Sequence, residues 1–310
     1  MPTPVVAVVD IGSNSIKVLV ATRSDSGNIT ALASRTLDAR ISAGISRAEP
    51  RLSEEGMARG LAAIVALLSE TTAFSPAQSV LVATSAVRDA ANGAEFRARV
   101  LAATGLSVRI LTGDEEAHLI GRGLTCDPAL AVLRDFHVFD LGGGSLECLT
   151  FIDRKICQAV SLQLGCVRLA EKFVPDFAAC FSTESAEHIA AHISAVVLAS
   201  GFTFAPAIAI GTGGTVSTVR AIIAARTGKT FEQTNPVITL ATLRNLLAEL
   251  GNLPLSARRQ IPGLPPNRAD VFPTALATLV TLAKIGGFDA YRNSLFNLRY
   301  GLAAEMLEKL

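Results

Sequence analysis

Two stretches of the chain carry the same arrangement of a carboxylate, small residues and a hydroxyl at the end of an apolar run. Val8-Val9-Asp10-Ile11-Gly12-Ser13-Asn14-Ser15 and Val138-Phe139-Asp140-Leu141-Gly142-Gly143-Gly144-Ser145 share the Asp, the first Gly and the final Ser at identical offsets. Glycine and serine after a strand leave backbone N–H groups and a hydroxyl uncovered, so a phosphate can approach the main chain closely. Asp10 and Asp140, ending their strands, are oxygen donors suited to Mg²⁺, directly or through water, because that ion keeps much of its hydration shell. A third turn, Gly211-Thr212-Gly213-Gly214-Thr215, follows a strand expected over Ala207–Ile210 and precedes a helix beginning at Val216. Strand, glycines and helix N-terminus in that order form anion-binding geometry. One such turn alone is weak evidence; two in register point to duplicated domains that set their loops across a shared cleft.

Other residues are read against their plainer roles. Glu116, the second acid of Gly113-Asp114-Glu115-Glu116-Ala117, could orient a water and accept its proton, yet acids enrich the first turn of any helix. Arg88, just past a strand end, could spread charge over equatorial phosphate oxygens or simply pair with Asp89 on the surface. Glu147 follows the glycine triplet by three residues, and strand alternation puts it on the same face as Ser145, a candidate metal-linked carboxylate. His188 and His192 are four apart on an expected helix, but no HExxH accompanies them, so a structural role is expected. His118 either lines the cleft or faces solvent. Cys148 and Cys166 flank site segments without a basic partner that would activate a thiolate.

The elements that position these residues alternate between strands and helices, the pattern of an α/β sheet. Val5–Asp10 and Ile16–Val20 form a hairpin around the first glycine turn. Ser53 caps a helix over 53–69; Val80–Ala83 is a strand, Ala94–Ala103 a helix stopped near Gly105, and Val108–Leu111 a strand. Leu240, Leu243, Leu247 and Leu250 lie at helical spacing before Gly251; 262–273 is a Pro-rich loop, 274–285 a buried helix closed by Gly286-Gly287, and 301–310 a final amphipathic helix. With 310 residues, the chain exceeds the usual single-core limit of about 250–300. The expected division is 1–125 and 126–310, around Asp127-Pro128, with the helix over 301–310 able to pack back onto the first domain.

Charge and cysteine content narrow the function. Lys and Arg number 28 against 27 Asp and Glu, which argues against a protein held to nucleic acid or a membrane by bulk electrostatics, so an anion must be bound locally. Five cysteines without a CxxC pair read as reduced thiols, and the first residues show no secretory pattern, so a cytoplasmic location is expected. The uncharged run 188–219 is interrupted by Gly201, Pro206 and the glycines of the third turn, and is read as buried core, not a membrane span.

The segments Val9–Ser15, Ala83-Thr84-Ser85-Ala86-Val87-Arg88-Asp89-Ala90, Thr112–Ala117 and Asp140–Glu147 together resemble the exopolyphosphatase and guanosine pentaphosphate phosphohydrolase family. Leu164-Gly165-Cys166-Val167-Arg168-Leu169, Gly211–Thr215 and Arg268-Ala269-Asp270-Val271 add to the resemblance, which runs in order over almost the whole chain. It implies two duplicated α/β domains of the actin-like, sugar-kinase (ribonuclease H-like) type around a central cleft, each on a mixed five-stranded sheet. It also implies Glu116 as the catalytic carboxylate, Arg88 in the phosphate site, Lys17 as a basic contact and a homodimer. The chain departs from the pattern at Arg40-Ile41-Ser42-Ala43-Gly44-Ile45, where Ser42 stands for a glycine, and at Asn297-Leu298-Arg299-Tyr300-Gly301, where Asn297 replaces a glycine and Tyr300 an acid. With the sequence ending at Leu310, the chain is expected to lack the C-terminal helical domains of long family members.

The expectation is an exopolyphosphatase removing terminal phosphate from inorganic polyphosphate with Mg²⁺, bound through Asp10, Asp140 and Glu147, and with a monovalent cation as a candidate activator. Guanosine pentaphosphate is the alternative substrate. A non-catalytic phosphate or nucleotide sensor is the alternative class, and a sugar or acid kinase of the same fold lacks a sugar-binding signature here.

Overall fold

Residues 3–205 and 208–310 are described by the computed structural model, and they fall into two compact units. The first runs to Val132 and takes in Phe296–Leu310; the second is Leu133–Leu295.

In the first unit, β1 (Val5–Ile11) and β2 (Ser15–Arg23) are the apolar runs on either side of Gly12-Ser13-Asn14 and pair antiparallel, with Asp10 opposite Lys17. β3 (Ile29–Asp38) extends the meander beyond β2. Helix α1 (Glu54–Thr71) starts at Ser53, whose side chain accepts from Gly56 N–H, and packs on β1 and β2. It carries the chain to β4 (Gln78–Ala83), parallel to β1. A single turn α2 (Ser85–Arg88), helix α3 (Gly93–Thr104), strand β5 (Val108–Ile110), parallel to β4, and helix α4 (Gly113–Thr125) complete the run. The sheet order is β3-β2-β1-β4-β5. Val6, Ala7, Val8, Val9 and Ile11 on the central strand are fully buried, which is why β1 reads as an unbroken apolar run and not an alternation.

The second unit rebuilds this plan. β6 (Phe136–Leu141), β7 (Leu146–Ile152) and β8 (Lys155–Leu162) form the meander. Helices α5 (Cys166–Phe173) and α6 (Thr183–Ala199) lead to β9 (Ile208–Thr212), parallel to β6. After α7 (Gly214–Thr227) come β10 (Val237–Thr239), α8 (Leu240–Gly251), the single turn α9 (Leu255–Arg258), α10 (Phe272–Gly286) and β11 (Ala290–Asn293), parallel to β9. The series β8-β7-β6-β9-β11 matches β3-β2-β1-β4-β5 strand for strand. β10 then adds a sixth, antiparallel edge strand outside β11, so the expected five strands hold for the first unit only. The expected strand over Ala207–Ile210 is present from Ile208; Ala207 lies outside the described residues.

The last helix, α11 (Leu298–Leu307), packs on α4, β1 and β2 of the first unit. A Cβ on Gly123 would collide with the Asn297 carbonyl, and one on Gly301 with that of Leu119, so bare glycine backbone lets the two helices close up. Arg299 is buried and donates to Val18 O at 3.2 Å and Ser34 Oγ at 3.2 Å, filling a gap over β2 and β3. The first division falls at Val132 and not at 125, because Asp127 caps a 3-10 turn at Pro128–Leu130 that buries Leu130 with this unit.

Candidate active site

In the first unit, Gly12 N–H closes the turn on Ser15 O at 3.2 Å. Ser13 Oγ lies 3.3 Å from Ser85 Oγ at the start of α2, tying the glycine turn to the helix that carries Arg88. The segment that departs from the family pattern lies directly on this turn: Ala39 and Arg40 N–H donate to Asn14 O at 3.2 and 2.9 Å, and Ser42 N–H to Ser13 O at 3.3 Å. Positive φ is taken by Arg40 (40°) and Gly44 (85°) but not by Ser42, so serine replaces glycine there without backbone strain. The Asn14 side chain is buried beneath this segment, and its main-chain carbonyl, not its amide, organises the loop.

Arg88 and Glu116 meet in the same unit. Arg88 Nη1 donates to Glu116 Oε2 at 3.2 Å and to Leu111 O at 2.9 Å, while Nε reaches Asp89 Oδ1 at 3.3 Å. The pairing with Asp89 read from the sequence is present, and the same guanidinium also reaches the distant Glu116. Glu116 is 6 % exposed. Its neighbour Glu115 is spent on local structure, because Thr112 and Glu115 form a reciprocal capping box and Arg109 pairs with the Glu115 carboxylate at 2.6 Å. Those bonds hold the Glu115 carboxyl below its usual range, the Thr112 N–H contributing most. Of the two adjacent acids, Glu116 is thus the one turned inward beside a cation. His118 is exposed, its ring 2.8 Å from Asp114 O.

In the second unit, Gly142 N–H meets Ser145 O at 3.0 Å, as Gly12 does with Ser15. Cys166 N–H donates to Gly142 O at 3.0 Å, and Val167 and Arg168 N–H to Gly143 O at 2.9 and 3.2 Å; Arg168 Nε takes Gly144 O at 3.0 Å. A Cβ on Gly165 would strike the Gly143 and Gly144 main chain. The first turn of α5 thus grips the turn's carbonyls.

Asp140 stands opposite Glu147 across the β6–β7 pair and beside Thr212 of β9. Glu147 is buried and accepts from Ser161 Oγ at 2.8 Å. The position matched by Lys17 in the first hairpin is therefore Glu147 in the second: one repeat pairs its aspartate with a cation, the other with an acid. Two carboxylates directly opposed across strands repel. Among the described residues no group of three or more His, Cys, Asp or Glu converges on a metal position.

The third turn joins the second. Gly213 has φ +82°, and a Cβ there would collide with Asp140 Oδ1, so the carboxylate rests against the turn that starts α7. Thr215 is fully buried and its Oγ1 has no hydrogen-bond partner among the described residues. The Arg268 guanidinium lies against Gly214, with Nη1 3.3 Å from Thr218 Oγ1 and a buried Nε that has no partner there. A cation placed at the positive end of a helix, with unsatisfied donors around it, suits an anion. Residue types had marked the turn, and the resemblance had marked the Arg268–Val271 segment without giving Arg268 a role; it sits in a Pro-rich loop without periodicity.

His188 and His192 flank the Phe173 ring, with centroids 6.4 and 5.2 Å away. Cys148 and Cys166 are buried, and burial pushes the Cys148 thiol well above its usual range.

Comparison with known proteins bears on this geometry. The model of the Ppx/GppA phosphatase family matches residues 19–310. An exopolyphosphatase from Cytophaga hutchinsonii superposes with a TM-score of 0.87 at 20% identity, covering 99% of this chain and 98% of its own. The Aquifex aeolicus PPX-GPPA enzyme gives 0.78 at 23% identity, covering 98% and 100%. An exopolyphosphatase-like protein gives 0.87 at 20% identity, covering 100% and 99%. At these identities the likeness to solved structures establishes the duplicated α/β fold.

Proposed function

We propose that this chain, which belongs to the Ppx/GppA phosphatase family, is a phosphohydrolase that cleaves the terminal phosphoanhydride bond of inorganic polyphosphate. The observation that carries the reading is the Arg88–Glu116 contact at 3.2 Å, a buried carboxylate held by a guanidinium in the unit that also bears the Gly12–Ser15 turn. Glu116 orients a water in line with the terminal phosphorus and accepts its proton as the P–O bond to the chain breaks. Arg88 spreads the charge that accumulates on the equatorial oxygens. The backbone N–H groups of the Gly12–Ser15 turn, with Lys17 on the strand that leaves it, hold the adjoining phosphates. Asp140 and Glu147 suit Mg²⁺, being two hard oxygen donors side by side; Asp10, facing Lys17, is the weaker candidate of the three. When bound, Mg²⁺ neutralises phosphate charge.

The deciding assay is phosphate release from polyphosphate of defined lengths, with and without Mg²⁺, beside guanosine pentaphosphate. Faster release from the nucleotide moves the substrate within the same chemistry. Tight binding of both without release supports a sensor instead.

A further inference from the structure

Arg220 lies well inside α7, two turns beyond its glycine start, and is 6 % exposed. Its hydrogen-bond partners are neutral oxygens: Nε donates to Thr234 Oγ1 at 3.1 Å, Nη2 to Phe231 O at 2.8 Å and Thr234 O at 3.1 Å, and Nη1 to Asn293 Oδ1 at 3.1 Å. The Phe231 ring lies 4.0 Å from the guanidinium carbon. Burying a guanidinium is costly, and an apolar side chain of similar volume commonly does as well for stability. The arrangement is better explained by the geometry it fixes.

A guanidinium has donors only, so the Asn293 amide must turn its oxygen toward Arg220 and its nitrogen away. That nitrogen donates to Gly211 O at 3.2 Å and Ser294 O at 3.2 Å, and Ser294 N–H reaches the same Gly211 carbonyl at 3.1 Å. Gly211 is followed by Thr212, Gly213 and Gly214, and glycine-rich backbone has much conformational freedom to lose. We infer that Arg220 is a positioning residue for the third glycine turn, acting through Asn293 on the Gly211 carbonyl to aim the N–H groups at the start of α7 toward phosphate. This rests on the phosphate-binding reading of that turn and adds to it two residues that touch no substrate.

Asn293→Asp separates positioning from mere support. It keeps, and strengthens, the acceptor facing Arg220, but removes the donor to Gly211. The relay requires Asn293→Asp and Arg220→Met each to raise KM for tripolyphosphate by about five- to tenfold, the loss of one hydrogen bond, with kcat within about twofold. The cycle is completed with Asn293→Leu, since a buried carboxylate without Arg220 adds a cost of its own; Arg220→Met combined with Asn293→Leu should be no worse than the poorer of those two singles. Amide hydrogen exchange at Gly213 and Gly214 should quicken in both Asn293→Asp and Arg220→Met. Wild-type KM and exchange in Asn293→Asp, or losses that simply add in the double variant, would overturn the relay. If the wild type releases no phosphate from any chain, the functional reading falls, and the exchange rates together with calorimetric binding of tripolyphosphate still decide the relay.

Discussion

Arg88 reaches Glu116 across 3.2 Å while keeping Asp89 at 3.3 Å and the Leu111 carbonyl at 2.9 Å, so one cation links a single-turn helix, a strand end and the first turn of α4. Glu116→Gln keeps the shape and the hydrogen bond but removes the proton acceptor. Polyphosphate binding should persist, and turnover should fall by about 10²–10⁴-fold, the usual worth of general base catalysis. Activity within a few-fold of wild type would exclude Glu116 as the base.

Removing the cation tests the other half of the pair. Arg88→Ala should raise KM and lower kcat together, and should also cost on the order of 2 kcal/mol of stability, because Glu116 loses a charge-assisted bond in a buried setting. Combining it with Glu116→Gln should recover part of the melting temperature and none of the activity. An additive loss of stability would show that the two groups are not coupled.

The opposed acids of the second hairpin make a two-signed prediction. Asp140→Asn removes a like-charge contact with Glu147, so in chelator the variant should melt higher than wild type, by about 0.2–1 kcal/mol. The same change should raise the Mg²⁺ concentration needed for half-maximal phosphate release. Chelation of the wild type should stop release altogether, and unchanged release in chelator would remove Mg²⁺ from the mechanism.

His137 sets an acid limit on the second unit. It is fully buried beside Phe139, Phe202 and Phe204, with its ring nitrogens 3.0 Å from Thr150 Oγ1 and 2.9 Å from Ala205 O. Burial holds the imidazole below its ordinary value of 6.5. Above that pH neither the folded nor the unfolded chain protonates it, and its contribution is complete. As pH falls through 6.5 the unfolded chain takes up a proton that the folded one resists, so stability declines by up to about 1.4 kcal/mol per pH unit until the folded group titrates. A series of denaturant melts between pH 7 and 5 should show this slope, and His137→Gln should flatten it. Equal slopes in both proteins would place the acid sensitivity elsewhere.

The hairpins around Gly12 and Gly142 were legible because their strands are central and buried, leaving unbroken Val, Ile, Leu and Phe runs that stop at glycine. β3 escaped notice for the opposite reason: Thr30, Ala31, Leu32, Arg35 and Thr36 are exposed on an edge strand, so no burial pattern marks it. β10 and β11, at three and four residues, are too short for any period to show. The choice between Glu115 and Glu116 could have been made from spacing alone, since Thr112 and Glu115 form a capping-box signature that assigns the first acid to the helix end. The resemblance had marked the Arg268–Val271 segment, but spacing could not show the meeting of Arg268 with Gly214, which depends on how a loop folds back on α7. Tyr300, standing where the family pattern has an acid, lies tilted against Phe296 with ring centroids 4.1 Å apart, within the seam that holds α11.

That seam imposes an order on assembly. Leu133–Leu295 is one contiguous run with a core of its own, whereas the first unit lacks Arg299 and the α11 face until Phe296–Leu310 has been made. During synthesis the later-encoded unit can therefore mature before the earlier one closes. Chains cut just before Phe296 should carry a sound second unit beside a loosened first, with α4, and hence Glu116, deprived of its backing.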